Sequence, residues 1–207
     1  MCKRERQQEI ERLTTLYRRD IEDILSKPHD LRATLVKALT DSVYVGGQRW
    51  EASEAYTNVW ASSAEPHWID VLLDIMLAPP PFRQSIGEDW WDNDLVLFTA
   101  QVAQMYPQEA IFKCLPHLNH PELHQDIVYI IASTQTTEAI QYLRPAIDRA
   151  ASMDAEELSN LVDALGENDT SEATAVLQNL RATLEDRVLD GDTLHERINS
   201  YLTRLSA

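Results

Sequence analysis

The sequence predicts an all-α chain in which antiparallel helix pairs stack into an extended array. Three observations carry that expectation. First, the stretch Ile127–Ala139 laid over Leu161–Ala173 matches at an offset of 34 residues: apolar positions, a small residue (Ala132, Gly166), a polar turn and a Glu-Ala pair all coincide. A period of that size is the mark of a helical solenoid. Second, apolar residues recur at three- and four-residue steps along most of the chain. Third, 5 glycines among 207 residues, a 44% apolar content and few β-branched runs favour helices over strands.

Taken in order, residues 4–26 read as an amphipathic helix with Ile10, Leu13, Tyr17, Ile21 and Ile24 on one face. Pro28 stops it, and Asp30 can cap a second helix carrying Leu31, Leu35, Val36 and Leu39. Residues 1–45 are therefore expected to form an N-terminal capping pair, since a stacked array needs a polar outer end. Gly46-Gly47 precede a third helix near Arg49 to Ser62, and a fourth follows from about Pro66 to Leu77. Successive prolines at 79–81 lack amide donors and break the rhythm, opening an insertion over residues 78–94.

Further helices are expected at about 94–105, 107–118, 121–134, 137–150, 154–166 and 170–187. Pro145 should kink the fourth of these. Residues 190–207 read as a closing cap: Asp192 should start a helix burying Leu194, Ile198, Tyr201, Leu202 and Leu205. Within the two clearest copies, Ile131, Leu143, Leu165 and Leu177 are expected in the core. The chain thus reads as one helical-repeat domain over 1–207, with degenerate repeats across 50–187. The repeat weakens upstream, where the small residues Ala61, Ala103, Ala132 and Gly166 are separated by 42, 29 and 34 positions.

These copies resemble HEAT repeats over roughly residues 50 to 185. Leu118-Asn119-His120-Pro121-Glu122-Leu123 looks like that family's turn between paired helices, and Ala164-Leu165-Gly166 like the end of its second helix. The resemblance implies a right-handed α–α superhelix. It implies architecture rather than activity.

Composition narrows the possible partners. The net charge is −16, distributed as +2 over residues 1–49, −9 over 50–110, −1 over 111–150 and −8 over 151–207. Such a field repels phosphate backbones and attracts basic surfaces, so nucleic-acid binding is not expected. Cys2 and Cys114 fit no metal spacing and suggest a reducing compartment. No signal peptide and no apolar run long enough for a membrane span is read, so a cytoplasmic protein without membrane association is expected.

The insertion offers the sharpest candidate site. Trp90 and Trp91, bounded by Glu88, Asp89, Asp92 and Asp94, could present an aromatic anchor within acidic groups. The opposing reading buries a tryptophan and leaves the acids at a helix start, where the dipole favours them. His120 and His124, four residues apart, form the best metal candidate, with His117, Glu122 and Asp126 nearby. The turn around Pro121 explains His120 without a metal. Deoxyhypusine hydroxylases, HEAT-like iron enzymes, use repeated His-Glu dipeptides, which this chain lacks. Cys114 with His117 lacks the third group that nucleophilic catalysis needs. No cofactor is expected.

The leading expectation is a non-enzymatic binding module for a basic protein, of the inhibitor or immunity type. The alternatives are an acidic DNA-mimicking decoy and an enzyme, metal-dependent or otherwise, on a HEAT-like scaffold.

Overall fold

The computed structural model describes residues 3–46, 50–85, 88–189 and 191–205. The fold is all-α: among the described residues there are eleven helices, three short 3-10 turns and no strand. Contacts gather into two compact units, residues 1–102 and 103–207. No helix among the described residues is long and apolar enough to cross a membrane.

The first unit holds α1 (Lys3–Leu25), α2 (Leu31–Gly46), α3 (Trp50–Ser62), α4 (Trp68–Leu77) and most of α5 (Glu88–Met105). Asp30 accepts the amide of Ala33 at 3.1 Å and so starts α2 as its sequence position predicts. Ile10, Leu13 and Tyr17 of α1 pack on Ala52 and Ala55 of α3, whose short side chains let the two helices approach closely. An aromatic chain continues inward: Tyr17 meets Tyr56 edge-on at 5.2 Å, Tyr56 meets Trp60 at 6.3 Å, and Trp60 meets Trp68 at 6.1 Å. Burial pushes the Tyr56 hydroxyl up to about 12.

Prolines 79–81 end α4 and lead into a 3-10 turn, Pro81–Ser85. Helix α5 then begins at Glu88, not near residue 94. The second half of the expected insertion is its first two turns.

The second unit holds α6 (Pro107–Cys114), α7 (His124–Ser133), α8 (Thr137–Asp148), α9 (Ala155–Gly166), α10 (Ser171–Thr183) and α11 (Leu194–Leu205). Helix α7 lies beside α9, α9 beside α11, and α8 beside α10. Side-chain bonds fix the sense of each pairing. Asn160 of α9 donates to Gln125 near the start of α7, while Asn168 beyond α9 donates to the Ala132 carbonyl near the end of α7, at 2.8 Å. The partners advance together, so α7 and α9 run parallel. Thr137 and Glu172, at the starts of α8 and α10, bond at 3.1 Å and show the same of that pair.

The turns that lead into α8 and α10 are built the same way. Thr136 caps α8 by accepting the Ala139 amide, and Thr170 caps α10 by accepting that of Ala173, each at 3.2 Å. Two residues earlier in each copy stands a buried polar group: Thr134, bonded to the Thr136 hydroxyl, and Asn168, bonded to that of Thr170. Ile131, Leu143, Leu165 and Leu177 are fully buried, as expected from the sequence.

Helix α11 is started by Thr193 rather than Asp192: the Thr193 hydroxyl accepts the Glu196 amide and the Glu196 carboxylate accepts the Thr193 amide. Asp192 instead takes Arg197 at 2.9 Å. Gly166, at the end of α9, has an ordinary helical backbone, and its value is closeness. A Cβ built there would lie 2.3 Å from the Tyr201 ring of α11. Gly166→Ala should therefore destabilise the protein by about 1–3 kcal/mol through overpacking, outweighing the roughly 0.5–1 kcal/mol that alanine gains over glycine in a helix. Chemical denaturation checks this, and a variant as stable as the wild type would show that α11 does not press on α9 there.

Candidate functional site

Helix α5 decides the fate of the acidic-aromatic segment. Trp91, Leu95, Phe98 and Val102 recur at steps of four, three and four, and all are buried in the first unit. Trp91 is 0% exposed, so it heads the core face of α5 and is no surface anchor. That corrects its place in the expected recognition site. The side chains of Glu88, Asp89 and Trp90 lie outside the described residues.

Asp94 is half-buried and tied inward as well. The Ser42 hydroxyl donates to its carboxylate at 2.9 Å and lies 2.8 Å from the Ser53 hydroxyl, so α2, α3 and α5 meet at one polar point. Burial raises the Asp94 carboxyl above its usual value, with the Ser42 bond opposing. Asp92, beside it, is partly exposed. The segment builds the start of a core helix before anything else.

The histidines come together without a ligand set. His120 and His124 line a hollow of ≈ 250 Å³ that also touches Arg149 and Glu157. His120 Nδ1 accepts the Glu122 amide at 3.3 Å, which fixes the turn. Glu157 is engaged in the capping box with Asp154 that starts α9. Arg149 brings a positive charge to the same hollow, which opposes a dication. Among the described residues no group of three or more His, Cys, Asp or Glu is placed to hold a metal. Cys114 is buried in the second unit, and burial pushes its thiol up to about 12, far from a thiolate nucleophile.

One concavity carries none of the residues that the sequence singles out as a site. A groove of ≈ 970 Å³ runs between α8 and α10. Ile140, Ile147 and Leu180 form its floor, and Ala175 and Val176 its α10 wall. At the 34-residue offset, Ala175-Val176 stand where the first copy has Gln141-Tyr142. Short side chains in place of long ones open the space. That substitution is the signal that could have revealed the groove.

Its charge is fixed by local bonds. Glu172 is held below the usual carboxylate range by its own backbone amide and by the Ser171 and Thr137 hydroxyls, so it stays ionised at the groove's end. Arg144 on the opposite wall already pairs with Asp148 at 3.1 Å.

Two other acids in the second unit, Asp163 and Glu167, are paired internally. Arg197 reaches Asp163 at 3.2 Å, the Tyr201 hydroxyl donates to Asp163 at 3.0 Å, and Arg204 reaches Glu167 at 3.1 Å. Asp163 and Glu167 thus fasten α11 to α9. Glu172 remains at the α8–α10 groove, while Glu138 accepts Gln108 of α6.

The raised Asp94 carboxyl has a consequence for stability. A carboxyl raised on folding makes the native state hold its proton more tightly than the unfolded chain, so its contribution to stability falls as pH rises from the ordinary value through the raised one. Asp94→Asn mimics the protonated form and keeps an acceptor for Ser42. The variant should equal or exceed the wild type in stability at pH 7, and its advantage should vanish as pH falls toward about 4. Denaturant midpoints across that range check it; a variant weaker at pH 7 would show that the ionised form is the stabilising one.

Compared with protein-family models, with curated proteins and with solved structures, the chain matches none, so the residues and their geometry alone carry the functional reading.

Proposed function

We propose that this chain is a non-enzymatic, cytoplasmic protein-binding module of HEAT-like helical repeats, and that it seats a basic, amphipathic segment of a protein partner in the groove between α8 and α10. The observation that supports it most is the groove itself: an apolar floor of Ile140, Ile147 and Leu180 with the ionised Glu172 at one end. A concavity with an apolar floor and polar groups along its rim is how a helix or strand is received.

Electrostatics favour the sign of the partner. Residues 103–207 carry 17 acidic and 7 basic side chains, a net −10. Several of those seven cations are held by this chain's own groups: Arg144 by Asp148, Arg187 by the Met153 and Ala150 carbonyls, Arg197 by Asp163 and Asp192, and Arg204 by Glu167. A basic segment approaching this unit is steered toward it. Masking a basic active surface, as an inhibitor or immunity protein does, is the biological role this fits.

Helix α8 has 12 residues, about 18 Å of groove length. A synthetic amphipathic helix of leucine and lysine, about 14 residues or 21 Å long, is a suitable probe. Ala175→Phe fills the groove without altering charge and should weaken binding about tenfold, or about 1.4 kcal/mol. Ala182→Phe, on exposed α10 surface outside the groove, should leave binding unchanged. Raising salt should slow association with the wild type. Equal binding by Ala175→Phe, or equal affinity for the matching leucine–glutamate peptide, would refute the reading.

A further inference from the structure

Beside the groove, on the face of α8 turned toward α6, two aromatic rings stand in the open next to a carboxylate. Phe112 is 69% exposed and Tyr142 is 36% exposed. Gln108 of α6 donates to Glu138 of α8 at 2.9 Å, which brings the starts of these helices together. Phe112 lies one turn beyond Gln108, and Tyr142 one turn beyond Glu138. The Tyr142 hydroxyl also reaches Glu138, at 3.4 Å. Tyr142 therefore sits one helical turn from the partly buried Glu138 carboxylate, and Phe112 one turn from Gln108, the residue that bonds it.

Phe112 is mostly exposed and has no polar atom for water, and Tyr142 keeps part of its ring open. An aromatic face attracts a cation above it, and a carboxylate one turn away gives that cation a hydrogen-bonding partner. Of the two basic side chains, arginine suits this combination. Its guanidinium is planar, weakly hydrated and forked, so it stacks on a ring while its N–H groups engage a carboxylate. Lysine offers a compact, strongly hydrated charge that does neither as well. The same arrangement occurs within this chain, where the Arg204 guanidinium lies 5.0 Å from the Tyr201 ring centre and bonds Glu167.

We infer that Phe112, Tyr142 and Glu138 form an arginine-selective anchor that fixes one side chain of the basic segment bound in the adjacent groove. The inference rests on the groove reading, since it names the residue by which that segment is recognised. It predicts a partner segment that carries arginine at one end of its apolar stretch.

Octa-arginine and octa-lysine, with blocked termini, carry equal charge and separate this anchor from general attraction to an acidic surface. Wild-type protein should bind octa-arginine about five- to tenfold more tightly at moderate salt, a ratio in the range that stacking of a cation on aromatic rings supplies. Phe112→Ser with Tyr142→Ser should bring the two affinities together, and Glu138→Gln should lower the octa-arginine affinity. Both rings are solvent-accessible, so thermal melts should show the double variant folded; Phe112→Leu, which keeps apolar bulk without a ring, provides a second variant and should also lose the preference. Equal wild-type affinities, or a preference that survives in the double variant, overturns the anchor. The groove reading is judged separately by the leucine–lysine peptide and Ala175→Phe, so either can fail without the other.

Discussion

Asn168 is the interaction on which the second unit depends. Its side chain is wholly buried, and each of its polar atoms is used. The amide nitrogen donates to the Ala132 carbonyl in the preceding copy, while the amide oxygen accepts the backbone and hydroxyl of Thr170. One residue thus closes the end of α7, fixes the turn after α9 and presents the cap of α10. A buried amide left without these partners costs about 1–3 kcal/mol. The bonds therefore determine the turn's geometry as much as they stabilise it. Thr134 occupies the matching place in the first copy, but its shorter side chain serves only its own turn.

From that fixed turn follows the spacing of the second helices. Thr136 and Thr170 start α8 and α10 in register, and the Thr137–Glu172 bond holds the two starts together. Beyond those starts the separation is filled, or left open, by whatever side chains α10 carries. Ala175 and Val176 leave it open over an apolar floor. The concavity is therefore a product of register plus two short side chains, without strain or a special loop.

Charge in this chain has two distinct uses. Part of the acidic surplus faces inward. Asp163 and Glu167 receive Arg197, Tyr201 and Arg204, and Asp94 receives Ser42, so these groups join helices within each unit. Partly buried carboxylates of this kind are costly to desolvate, which is why burial raises Asp94 and Asp163. Other described acids lie on helix surfaces and at helix starts; of these, Glu172 is held below the usual carboxylate range by its own amide and the Ser171 and Thr137 hydroxyls.

Helix type, helix order and the phase of the core were legible in the sequence, because apolar spacing and capping residues act over a few positions and need no distant information. Apolar spacing placed Leu143, Leu165 and Leu177 inside, and Asp30 announced its helix. What the sequence could not decide was which side chains of a mixed segment face inward. Trp91 and Asp94 look like recognition groups when read as a string. Only the packing of α5 against its neighbours makes one a core residue and the other a partner of Ser42. Asp192 and Thr193 stand side by side as equally good caps, and the choice went to Thr193 because Arg197 holds Asp192 elsewhere. The groove belongs to the same class. It exists between two helices distant in sequence, so the short residues that open it acquire meaning only once α8 and α10 lie together.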